Sequence, residues 1–121
     1  MQAMPAILLI GCQVALGLFL GFNYLNGDRN KPTLIGIHLL MGAAALEVMA
    51  LLLRGAPNGD PTTGKPMLTI AAGLTAAALL GGLAAAIFIK DMPRAARVAL
   101  YGHVGFALAG FGALVLWVAQ S

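Results

Sequence analysis

The residues of this chain best suited to chemistry are two histidines. His38 and His103 are the only ones in 121 residues. Each lies inside an apolar run, a few residues after a short polar segment that carries Lys and Arg. A neutral imidazole offers one nitrogen lone pair to a metal, and two imidazoles can fill both axial positions of a haem iron. An ionisable side chain within an apolar span is costly and marks a functional-site candidate. The competing role is a hydrogen bond to a neighbouring helix, worth about 1 kcal/mol or less.

The surroundings of the pair fit ligation of something flat. Four and seven residues after His38 stand Gly42 and Ala45, and the same offsets from His103 give Ala107 and Gly110. Residues at such offsets share a helix face with their histidine. Two small-residue strips of this kind leave room for a porphyrin. Its propionates would reach the near surface, where Arg29, Lys31, Arg94 and Arg97 supply cations, and Arg suits a carboxylate well. Haem b is therefore the expected cofactor, with a chlorophyll-type pigment as the alternative. Small residues are also ordinary packing devices. Gly17-Leu18-Phe19-Leu20-Gly21 is a GxxxG, and Gly73, Ala77, Gly81 and Ala85 form a longer strip.

Glu47 is the one charge inside an apolar run. A hydrogen bond to Gln13, with Glu47 protonated, is its expected structural role. The functional alternative for the two residues is a proton or quinone site. Cys12 is expected in the core as a small residue. Thr69 and Thr75 can bond their own helix backbone. Trp117, Tyr24 and Tyr101 read as interface anchors. Phe22, Phe88 and Phe106 can wall a cofactor or pack on each other.

These side chains must be positioned by membrane helices. The composition is 60% hydrophobic and 9% charged, against about 25% charged in a soluble domain. The mean hydropathy is +0.92. A water-soluble fold and a disordered chain are both excluded. One cysteine excludes a disulfide framework. Apart from Glu47, the charges fall at 28–31, 54–65 and 90–97. The four apolar stretches between them each exceed the roughly twenty residues a spanning helix needs. They lack the strict alternation of barrel strands. The expected fold is an all-α membrane protein, one domain over 1–121, with a bundle of four transmembrane helices at about 5–25, 33–53, 67–89 and 95–118. Asn26-Gly27-Asp28 ends the first helix, a turn-rich segment at 55–61 follows the second, and Pro32, Pro66 and Pro93 open the others. With no basic residue before its apolar run, the N-terminus reads as a mature span rather than a signal peptide.

Arg29, Lys31, Arg94, Arg97 and Lys90 share one side of the membrane; Arg54 and Lys65 share the other with both termini. The positive-inside rule puts the first group in the cytoplasm and the termini outside, in a bacterial inner membrane. The net charge of +3 is thus a topology signal, and nothing calls for nucleic acid. Helices one and two match helices three and four in direction, so a duplication would be a parallel tandem repeat of two-helix units. Asp28-Arg29-Asn30-Lys31-Pro32 and Lys90-Asp91-Met92-Pro93-Arg94 precede the second helix of each half, and each such helix carries its histidine near the start.

With His38 and His103 on alternate helices behind basic loops, the chain resembles the small four-helix membrane b-type cytochromes. The likeness covers the four spans and the histidine pair. It implies a haem clasped by two helical histidines and an electron-transfer role, through a quinone or a neighbouring redox subunit. Many such proteins carry two haems on four histidines. Two histidines hold one, which suits a one-haem relay or a subunit of a larger respiratory or photosynthetic assembly. Filled axial positions leave no open site on the iron, so catalysis by the chain alone is not expected. The carboxylates are too scattered for paired acid–base work, and there is no nucleotide loop, hydrolase elbow or HExxH. Two other classes stand beside this one. An accessory subunit or homo-oligomer would use the small-residue faces without a cofactor. A small drug/proton antiporter is similar in length and helix number but has its glutamate in the first helix, whereas Glu47 is in the second.

Overall fold

A computed structural model of the protein describes residues 4–55 and 65–120. They form four helices, α1 (Met4–Leu25), α2 (Pro32–Leu53), α3 (Lys65–Phe88) and α4 (Pro93–Gln120). All four are long and apolar enough to cross a membrane. A helix of 22 residues, such as α1 or α2, is about 33 Å long, close to the roughly 30 Å of a hydrocarbon core. The protein is an all-α integral membrane protein, as the apolar runs predict. Much of the large apolar surface faces outward, with Leu40 at 72%, Ile87 at 70% and Val98 at 71% exposure. Acyl chains accept such a surface where water would not.

The chain divides into two compact units, Met1–Thr62 and Thr63–Ser121. In the first, α1 packs on α2; in the second, α3 packs on α4. Each is a helical hairpin. The first is closed by a glycine-ended turn. Asp28 N–H donates to Asn23 C=O at 2.8 Å and Gly27 N–H to Tyr24 C=O at 3.2 Å. This six-to-one and five-to-two pairing requires a left-handed residue between them, and Gly27 supplies it at φ +78°. The loop is then strapped to α1. Asn30 Nδ2 donates to the Leu20 carbonyl at 2.9 Å, and Asn23 Nδ2 donates to Asn30 Oδ1 at 3.1 Å. Pro32 opens α2, where a missing N–H costs nothing. Gly55, at φ +83°, ends it. The rest of the turn-rich segment expected at 55–61 lies outside the described residues.

The second hairpin turns more tightly. α4 begins five residues after α3 ends and runs for 28 residues. Its first turns therefore carry Arg94 and Arg97 on helix, whereas Arg29 and Lys31 sit in a loop. Gly82 abuts His103 and Gly110 abuts Thr75, so the helices run antiparallel. The buried stripe of α3 is Leu68, Ala71, Thr75 and Ala78, continuing to Gly82. That of α4 includes Gly110, Ala113, Leu114 and Trp117. The strip expected at Gly73, Ala77, Gly81 and Ala85 is not the packing seam as a whole. Gly73 is exposed, and only Gly81 closely approaches α4.

The two hairpins share one register. Gly17 precedes the histidine it touches by 21 residues, and so does Gly82. Ala6 and Ala71, Ala45 and Gly110, Met49 and Leu114, Leu52 and Trp117 are each 65 residues apart, and every one is buried. Sequence identity between the halves is faint, but the same 65-residue offset recurs in which positions are buried. Without an aqueous driving force between membrane helices, close packing holds such a seam. This is why its positions are small or, like Met49, Leu68 and Leu114, fully enclosed.

Candidate functional site

Both histidines lie in the seam of their own hairpin. His103 Nδ1 is 2.6 Å from the Ala78 carbonyl oxygen of α3. A carbonyl only accepts, so in the neutral ring Nδ1 carries the proton and Nε2 the lone pair. Metal-binding histidines characteristically donate their other ring N–H in this way, which fixes tautomer and ring orientation. The close approach depends on Gly81 and Gly82. A Cβ at Gly82 would stand 2.9 Å from His103 Nδ1 and 3.0 Å from Cε1; one at Gly81 would stand 3.3 Å from the His103 backbone. His38 repeats the arrangement on α1. A Cβ at Gly17 would stand 2.8 Å from its Cε1 and 3.4 Å from its Nε2. Both imidazoles are half-buried. In sequence, His38 follows Pro32 by six residues and His103 follows Arg97 by six, about 9 Å of helix rise.

Among the described residues no group of three or more His, Cys, Asp or Glu could hold a metal ion. A bare zinc ion wants three or four protein ligands. A porphyrin brings four nitrogens of its own, so one or two imidazoles suffice.

The strips below the histidines serve another purpose than the one expected. Gly42, Ala45 and Gly110 are buried and Ala107 is half-buried. A Cβ at Gly110 would already meet Thr75 Oγ1 at 3.0 Å and the Ala71 carbonyl at 3.3 Å. The partner helix of the same hairpin fills the space that the sequence reading reserved for a porphyrin there. Arg29, Arg94 and Arg97 are exposed at the loop ends of the hairpins, as is Lys31.

Other expectations are corrected. Glu47 is exposed on α2 and Gln13 is half-buried on α1, and no Gln13–Glu47 bond forms among the described residues. The seam of α2 is Gly42, Ala45, Met49 and Leu52, and Glu47 points away from it. The hairpin register also sets Gln13 level with Gly42, more than a turn from Glu47. Glu47→Gln should therefore leave the folded yield from membranes at or above the wild-type level, since the seam loses nothing and a charge leaves an apolar face. A fall in yield, measured by detergent-resistant monodisperse protein, would mean that Glu47 is held from outside its hairpin. Cys12 is exposed rather than core. Trp117 is a seam residue, 6% exposed, not an interface anchor. Tyr101 is exposed and Tyr24 half-exposed, which leaves the anchor role to them. Phe22, Phe88 and Phe106 are exposed. Thr75 Oγ1 donates to the Ala71 carbonyl at 2.9 Å, the expected bond to its own helix.

The sequence reading missed Gly17, Gly82 and the Ala78 carbonyl. Their signal was present as the equal glycine-to-histidine spacing in both halves. No family model matches the chain, and no curated protein or solved structure is similar to it.

Proposed function

We propose that the protein is a membrane electron-transfer protein or subunit of b-type cytochrome kind, with one haem b held between His38 and His103 near the cytoplasmic face. The observation that carries this reading is the His103 Nδ1–H donating to the Ala78 carbonyl at 2.6 Å, which leaves the lone pair on Nε2. Haem b, when bound, supplies a one-electron iron couple. His38 and His103 would hold the group through their imidazole nitrogens and so would keep other ligands off the iron. Arg29, Arg94 and Arg97 compensate the propionate charges at the membrane surface. Electrons would pass to or from a quinone or a redox subunit alongside. The purified protein should show a sharp Soret band with low-spin character and little response to carbon monoxide. Colourless protein whose helices are intact overturns the reading; bands of a chlorophyll-type pigment would keep the ligands and change the cofactor.

The orientation belongs to the same proposal. Both termini lie outside the cytoplasm of a bacterial inner membrane, and segments 28–31 and 90–97 lie inside. Reporter fusions at Asn30 and Ser121 should give opposite answers. Equal answers would remove the four-span topology, and a reversed pair would move the histidines to the outer leaflet.

A second reading draws on the same hydrogen bond. His103 ties α4 to α3, and both histidines pack on a glycine of their own hairpin. These contacts also suit an accessory subunit in which the imidazoles are helix glue. That protein would be colourless, and its histidine variants would lose stability alone.

A further inference from the structure

We infer that Gly17 and Gly82 are positioning residues for the His38 and His103 imidazoles, and that Gly82 sets the tautomer of His103. The inference rests on the proposed ligation for its use, but its geometry stands apart from any cofactor. Gly82 is the only residue type that leaves room for the ring at this point of α3. An added Cβ falls 2.9 Å from Nδ1, 3.0 Å from Cε1 and 3.6 Å from Cγ. The first two distances are closer than carbon packs against such atoms. The ring cannot yield towards α3, because Nδ1 already lies 2.6 Å from the Ala78 carbonyl. It must shift or turn away, and that lengthens and misaligns the bond. With that bond weakened, the Ala78 carbonyl holds less firmly the tautomer whose lone pair is on Nε2. Gly17 does the same for the plane of the His38 ring, where the Cβ would fall 2.8 Å from Cε1.

Gly81 gives the contrast. Its Cβ would meet His103 Cα and N at 3.3 Å and the Ala99 carbonyl at 3.4 Å. These are backbone atoms, so Gly81 controls how near α4 comes, whatever side chain occupies position 103. Gly105 has nothing within 4 Å of its would-be Cβ and serves as a neutral control on the same helix.

The test uses the full chain, purified in detergent without added haem and labelled with nitrogen-15 histidine. In the wild type, the His103 ring should give one protonated and one lone-pair nitrogen signal with the proton on Nδ1. In Gly82→Ala that pattern should be lost to averaged signals, and Gly105→Ala should keep it. Gly17→Ala should move the His38 signals and leave those of His103. A stability cycle covers the case in which Gly82→Ala folds poorly. The thermal midpoint should fall by about 5 °C or more in Gly82→Ala, and His103→Ala should remove most of that fall by freeing the space. The same His103→Ala change should not rescue Gly81→Ala. Unchanged His103 signals in Gly82→Ala, or equal rescue of both glycine variants, overturns the inference. None of these readouts needs a pigment. Colourless wild type would defeat the ligation and leave the positioning role standing. A Soret band with signals indifferent to Gly82→Ala would do the reverse.

Discussion

On the proposed ligation, purified His103→Ala will have lost the low-spin Soret band expected of the wild type, and so will His38→Ala. Each variant will be colourless or will hold a high-spin haem that binds carbon monoxide. The expected effect is close to complete, because an axial ligand is a bond to iron and not one of many shared contacts. The packing loss in His103→Ala is small beside it. It comprises the bond to the Ala78 carbonyl, about 1 kcal/mol or less in a membrane, and the ring contact with Gly82. The helices should therefore survive, and circular dichroism should show them unchanged. This separates the two roles of the imidazole: glue costs stability, ligation costs colour. Exogenous imidazole supplied to His103→Gly should enter the vacated space and restore the low-spin band. Arg94→Gln and Arg97→Gln should keep the band and shift only the midpoint potential, since exposed cations act on the iron through charge. If both histidine variants keep the wild-type spectrum, neither residue is a ligand and the electron-transfer proposal falls with them.

How much of this was legible in the sequence depends on the scale of the signal. The spans were legible because a membrane asks for a long apolar run, and every charge but Glu47 falls where a run may end. Pro32 and Pro93 stand at the first residues of α2 and α4, as their missing N–H dictates. The end of α1 was legible in Asn26-Gly27-Asp28, since Gly27 takes the positive φ that its turn needs. The seam was harder. With all faces apolar, hydrophobicity does not say which face meets the partner helix. Gly73 and Gly81 looked like one strip, yet Gly73 is exposed. Trp117 looked like an anchor by its position near a helix end, and it is enclosed in the seam. Glu47 and Gln13 looked level when depth was counted from the membrane surface, but the register of the hairpin decides such pairs. That register is fixed by where the histidines meet glycine.

The second large effect concerns that register. Gly110→Ala should destabilise the protein, and Gly112→Ala, two residues along the same helix, should not. Away from contacts, replacing a helix-interior glycine by alanine gains about 0.5–1 kcal/mol through the unfolded chain. Gly112 has nothing within 4 Å of a would-be Cβ, so it should show that gain. At Gly110 the Cβ would fall 3.0 Å from Thr75 Oγ1, 3.3 Å from the Ala71 carbonyl and 3.3 Å from Leu74 Cβ. The hydroxyl is held by its 2.9 Å bond to Ala71, and the carbonyl is backbone. Neither retreats without α3 moving. Overpacking of this kind costs about 1–3 kcal/mol, which against that gain leaves a net loss of up to about 2.5 kcal/mol. Thr75→Ala in the same chain should recover part of it by removing the nearest atom. Thermal or denaturant unfolding of the purified variants measures the difference. Equal stability of Gly110→Ala and Gly112→Ala would mean that α3 and α4 do not meet at Thr75 and Gly110. The common register of the two hairpins would then be lost.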